Sequence, residues 1–167
     1  PWDFSQVAMR EKARALMRKD KPFMLTLSPM CGPFSSIQGL FNYPGRPVPE
    51  VRQRLADGLA HVRFALELCI EQQQAGRLFM FEHPAGASTW STRMMQEMVG
   101  LPGVELVDFD FCMAGMETVE ASGRRAHAKK RTRVLTNSPS LQLLLREVQC
   151  RREHEHAELL NGKAKAC

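Results

Sequence analysis

A stretch of helical periodicity held between two short apolar runs constrains this chain most. Val51, Leu55, Leu59, Val62, Leu66 and then Cys69 or Ile70 recur at steps of three and four residues, which predicts a helix ending near Gly76. Phe23 to Leu27 precedes it and Leu78 to Phe81 follows it, each short and apolar enough for a strand buried on both faces. Strands joined through a helix lie parallel, so their carboxyl ends share one rim of the sheet.

The same reading extends along the rest of the chain. Phe4 to Asp20 carries Met9, Ala13, Leu16 and Met17 at helical spacing, with Ser5 as its N-cap. Pro29 to Pro49 is rich in proline and glycine and reads as a long ordered loop. Ser88 or Ser91 caps a helix that runs through Val99 and is closed by Gly100 and Pro102. Val104 to Phe111 is a third strand. Residues 112–130 read as a loop that turns strongly basic. Arg133 to Leu135 is a fourth, short strand, and Ser138 caps a last helix with Leu141, Leu144, Leu145 and Val148 on one face. The expected fold class is α/β: a mostly parallel sheet with helices on both faces and an antiparallel hairpin at its C-terminal edge. Residues 1–150 make one domain and 151–167 a polar, basic tail.

At 167 residues the chain suits a single core. Its five cysteines are scattered with no CxxC pair, which implies a reducing, intracellular setting rather than a disulfide framework. No signal peptide and no bilayer-spanning run is present, so no membrane partner is expected. A net charge of +5 permits an anionic partner without requiring one.

Four groups of residues carry chemistry. Cys31 lies just past the first strand, flanked by Pro29, Gly32 and Pro33, where open sheets bind ligands. Its thiol is a nucleophile only as the thiolate. Glu82-His83-Pro84 ends the second strand on the same rim. There Glu82 could act as a general acid or hold a ring nitrogen, and His83 reads as a packing residue. Arg124 to Arg133, RRAHAKKRTR, could meet phosphates through Arg124, Arg125, Lys129 and Lys130, or be a solvated loop; Arg133 opens a strand and is placed to point inward. Cys112, Cys150, His154 and His156 are donors of the kind zinc takes, but C-x3-H-x-H matches no common finger, and no metal is expected.

Four short motifs carry a resemblance. S-P-M-C-G-P-F-S at Ser28 to Ser35 resembles the Pro-Cys loop of cytosine-5 DNA methyltransferases, F-E-H-P at Phe81 to Pro84 falls where that family has Glu-Asn-Val, K-K-R-T-R-V-L at Lys129 to Leu135 resembles its Gln-x-Arg-x-Arg strand, and Trp2-Asp3-Phe4 its Gly-Asp-Ile. The string is also similar to divergent methyltransferase-like domains of retroelement polyproteins. The resemblance implies a Rossmann-like core and S-adenosylmethionine-dependent methylation of DNA, in the nucleus if the source is eukaryotic. It implies that Cys31 attacks carbon 6 of a flipped cytosine, that Glu82 holds N3 and the exocyclic amine, and that Arg133 or Arg131 holds the carbonyl oxygen. Asp3 would accept from the adenine amine, with Phe4 and Pro29 also at the cofactor, and Phe34 and Ser35 would shape a loop closing over the base.

The sequence departs from the family at Met30, at Gly32-Pro33, where a Gln is usual, and at His83-Pro84. The family's Gly-rich cofactor loop and first two strands are expected N-terminal to Pro1, which makes this a partial core. Two other functions use the same residues: a non-catalytic nucleic-acid-binding domain, or a different cysteine enzyme pairing Cys31 with His83.

Overall fold

A computed structural model describes residues 2–120 and 123–157. Helix α1 spans Val7–Asp20, strand β1 Met24–Leu27, helix α2 Val48–Gln74, strand β2 Leu78–Pro84, helix α3 Arg93–Val99 and strand β3 Glu105–Asp110. Strands β4 (Glu117–Val119), β5 (Arg125–His127) and β6 (Arg131–Thr136) and helix α4 (Pro139–Glu147) follow.

The main sheet has the order β1-β2-β6-β3. β1 and β2 are parallel, in the register Leu27 opposite Phe81, as a helical crossover requires. β6 then runs antiparallel to β2 on one side and to β3 on the other. This corrects the expected fold: one adjacent pair of the sheet is parallel, and the architecture is mixed α/β rather than a mostly parallel Rossmann-like sheet. The last strand is not an edge hairpin but fills the gap between β2 and β3. Its alternation explains that position, because Leu135 enters the core beneath α2 and α3 while Val134 enters a second core beneath α4. A strand apolar on both faces is stable only where both are covered.

Residues 112–130 are not simply a loop. β4 and β5 form a separate antiparallel ribbon, Thr118 opposite Ala126. The segment after α4 returns alongside it: the Ala157 amide donates to the His127 carbonyl at 2.8 Å, and His156 bridges to His127. Residues 158–167 of the predicted tail lie outside the described residues.

Local chemistry sets the element ends. Ser138 caps α4 as expected, its hydroxyl accepting from the Leu141 amide. Ser5 does not cap α1; the N-cap is Gln6, without a side-chain bond. α3 starts after Thr92, and Ser88–Ser91 form a 3-10 turn before it. Gln72, fully buried on α2, donates to the Pro22 and Leu78 carbonyls at 3.1 Å each, tying the helix to the starts of β1 and β2. α1 docks on α2 through Met17, Phe64 and Leu68, and Arg14 reaches Glu71 at 2.7 Å. Among the described residues no helix is long and apolar enough to cross a membrane.

Candidate functional site at the strand rim

The parallel β1–β2 pair brings the Cys31 loop beside Glu82-His83-Pro84, as strand order predicts. His83 makes the join. Its Nε2 lies 2.9 Å from the Pro29 carbonyl and its Nδ1 3.0 Å from the Thr89 hydroxyl. A carbonyl only accepts, so Nε2 carries the proton and Nδ1 accepts from Thr89. Both nitrogens are thus occupied, and His83 cannot take a proton from Cys31. The Cys31–His83 pair of the alternative reading is not formed in this arrangement.

Burial pushes the His83 pKa down, partly opposed by its bond to Pro29, so the ring is held neutral. The unfolded chain therefore binds a proton that the folded one refuses. Stability is full above the ordinary histidine value of 6.5 and is lost as pH falls below it. Urea midpoints are expected to be lower at about pH 5.5 than at about pH 7.5, and His83→Gln is expected to reduce that difference.

Cys31 is half-buried and caps the 3-10 turn Gly32–Phe34. Phe34 is buried and its ring lies 6.1 Å from that of His83. Across from it, a Cβ on Gly58 would stand 3.0 Å from the Phe34 ring, so glycine is what lets α2 approach this turn. Phe34 is thus a core anchor rather than part of a closing loop. Ser35 stays local: its hydroxyl accepts from the Ile37 amide at 3.3 Å. Among the other cysteines, Cys69 is fully buried and burial pushes its thiol up, the opposite of what a nucleophile needs.

Glu82 presents a different feature. Its Oε1 is buried with no hydrogen-bond partner, as is Thr132 Oγ1. Register puts these two on one face, since Glu82 pairs with Val134 and Pro84 with Thr132. Arg133 pairs with His83 and therefore lies on the opposite face from Glu82. There its guanidinium is held by Asp108 at 2.5 and 3.0 Å and lies 5.8 Å from the Trp90 ring. Hydrogen bonds from Arg133, reinforced by the charges of Arg133 and Arg131, hold the Asp108 carboxyl below its usual range against the effect of burial. The expected trio of Cys31, Glu82 and Arg133 does not assemble. Arg131, also drawn to Asp108 at 3.4 Å, does not replace it.

A mainly apolar cavity of about 430 Å³ opens beside the Cys31 loop. Phe4, Pro29 and Met30 line it together with His61 and Phe64, and the Phe4 ring packs at a tilt against Phe64, centroids 5.4 Å apart. Two of the three residues expected at the cofactor, Phe4 and Pro29, thus share a cavity. The third does not: Asp3 accepts from the Ser5 amide and hydroxyl and from Gln6 Nε2, closing the turn before α1. A flat uncharged ring suits these walls. The ribose and charged amino-acid end of S-adenosylmethionine do not, because among the described residues no carboxylate lines the cavity. A neighbouring cavity of about 290 Å³ shares Met30 and His61. Sequence reading overlooked His61; its signal is its place on α2, beside the Gly58–Val62–Ala65 face that packs inward.

The basic run is largely engaged within the chain. Arg124 pairs with Glu120 and Glu155, Arg125 with Glu117, and Lys130 Nζ lies 5.2 Å from the Phe111 ring. Lys129 sits in the same segment, its charge felt by His156. The four candidate metal ligands, by contrast, come together. The ligand atoms of Cys112, Cys150, His154 and His156 all lie within 4.8 Å of one another.

Fold and rim together define a mixed α/β domain with a half-buried cysteine on a strand-end loop and, on the neighbouring strand, a buried, unpartnered carboxyl oxygen. No protein-family model, curated protein or solved structure matches the chain.

Proposed function

We propose that Cys31 and Glu82 engage a cytosine base of nucleic acid covalently, in the manner that the methyltransferase resemblance implies. The observation that carries this reading is the unpartnered, buried Glu82 Oε1, next in sequence to the His83 that holds the Cys31 loop through the Pro29 carbonyl. A buried carboxyl oxygen without a partner is costly, and a ring nitrogen with an adjacent amine satisfies it. The Cys31 thiolate forms a bond to carbon 6 of the base. The electron pair of the 5,6 double bond shifts toward N3, which takes a proton from the Glu82 carboxyl. Expulsion of the thiolate reverses both changes. S-adenosylmethionine, if bound, would supply a methyl group for carbon 5; its adenine suits the cavity walls and its charged end does not. The Arg133 contact that the resemblance implies is not part of this proposal, because Asp108 holds that side chain.

The test is capture of single-stranded and duplex DNA containing 5-azacytosine, read by denaturing gel and mass spectrometry. The expected result is an adduct mapped to Cys31, absent from Cys31→Ser and formed about 10²-fold more slowly by Glu82→Gln. No adduct from the wild-type chain on either DNA refutes the proposal. Calorimetry with S-adenosylhomocysteine, run alongside, separates base engagement from methyl transfer.

A further inference from the structure

We propose that Cys112, Cys150, His154 and His156 hold one zinc ion in a closed, structural site that fastens the segment after α4 to the β4–β5 ribbon. The site shares no residue with the Cys31 rim. Its ligands come from three parts of the chain. Cys112 is buried in the 3-10 turn Phe111–Ala114 that follows β3. Cys150 stands just past α4, and the two histidines lie on the segment that bridges to β5.

The spacing of the donors suits a tetrahedron. Zinc–sulfur bonds of about 2.3 Å and zinc–nitrogen bonds of about 2.05 Å give sulfur–nitrogen edges of about 3.6 Å. Cys150 Sγ lies 3.7 Å from His154 Nε2 and 3.3 Å from His156 Nε2. Two sulfurs and two imidazoles are a donor set that selects zinc among common divalent ions. Four protein ligands leave no open position, so the role is structural rather than catalytic.

The surroundings point the same way. The Arg152 amide donates to Cys150 Sγ at 3.3 Å, a backbone hydrogen bond that orients this sulfur. Arg152 reaches that geometry at φ 63°, a left-handed conformation that disfavours a residue with a Cβ. Asp110, 3% exposed, accepts from the Cys150 amide through Oδ2 at 2.9 Å, and its own amide donates to Val148. Its Oδ1 is buried with no hydrogen-bond partner, and its charge is felt by both Cys112 and His156. A dication held by Cys112 and Cys150 would lie beside this buried, unpartnered carboxyl oxygen and offset its charge. A carboxylate bonded to a ligand's backbone is also the kind of outer-shell partner metal sites use. Finally, Cys150 to Ala157 buries little apolar surface, Ala157 being its buried hydrophobic residue. Hydrophobic packing alone is a poor reason for that segment to be fixed.

The experiment uses the full chain, purified under reducing conditions with any affinity tag removed. Elemental analysis is expected to find one zinc per chain. Cobalt(II) exchanged into the site is expected to give tetrahedral d–d absorption with a thiolate charge-transfer band. Cys150→Ser and His156→Gln are expected to abolish those bands, Asp110→Asn to weaken zinc binding about 10- to 100-fold, and Cys31→Ser to keep one zinc. Folded wild-type protein that stays substoichiometric after zinc reconstitution overturns the proposal. So does a Cys112–Cys150 disulfide in place of the metal, or cobalt bands that survive in Cys150→Ser. If a ligand variant does not fold, the zinc content and cobalt spectrum of the wild-type chain decide.

Discussion

Replacing Phe81 with alanine is expected to cost about 3–5 kcal/mol of folding stability. Phe81 is fully buried at the centre of β2, opposite Leu27 of β1 and Leu135 of β6. Its ring stands 5.0 Å from His83 and meets Trp90 edge-on at 5.8 Å. The alanine would leave a cavity bounded by two sheet neighbours, which backbone hydrogen bonds hold apart, so collapse is limited. Against a typical domain stability of about 5–15 kcal/mol, that loss brings unfolding within reach of mild urea. It would also loosen His83, and through it the Pro29 carbonyl that fixes the Cys31 loop. Urea titration checks the prediction, with Leu40→Ala as the control. Leu40 is 69% exposed, and its loss should stay within about 0.5 kcal/mol. A cost below about 1 kcal/mol for Phe81→Ala would mean that β2 is not the spine of the core.

Removing the proposed zinc is the second large change. A ligand present at a hundredfold excess over its Kd stabilises the state it binds by about 2.7 kcal/mol, and structural zinc is typically bound far more tightly. A strong chelator should therefore raise hydrogen exchange at the Cys150 and Ala157 amides by at least about 10²-fold. Those amides donate to Asp110 and to the His127 carbonyl, contacts that the metal would hold in place. Amides of β1 and β2 should change little, because their protection comes from the core around Phe79 and Phe81. Unchanged exchange at Cys150 and Ala157 would show that no metal fastens this segment.

Much of the rim was legible in the residues themselves. Three- and four-residue steps located α2, and its length made β1 and β2 a parallel pair. Ser138 marked the start of α4. A histidine following a buried strand read correctly as a packing residue, because an alternating strand end turns every second side chain inward. The missed features depend on contacts distant in sequence. Nothing in Arg131 to Thr136 says which strands it joins or in which direction. One residue of register decides whether Arg133 shares a face with Glu82 or with His83, and here it shares one with His83. Three-residue strands such as β4 and β5 hide within a charged run because they bury little. Cys112, Cys150, His154 and His156 were named from their residue types, but C-x3-H-x-H matches no common finger, and it is β3, α4 and the return to β5 that gather their ligand atoms within 4.8 Å.

The sequence by itself determined the helices, the strands of the main sheet and the parallel pair that brings the Cys31 loop beside the end of β2. Each of those follows from periodicity, capping and crossover length, which act over a few residues or a single connection. Only the tertiary structure decided the place of β6, the capture of Arg133 by Asp108 and the convergence of Cys112, Cys150, His154 and His156. These rest on which surfaces bury one another once the chain has folded, and burial is a property of the whole packed molecule rather than of any local run of residues.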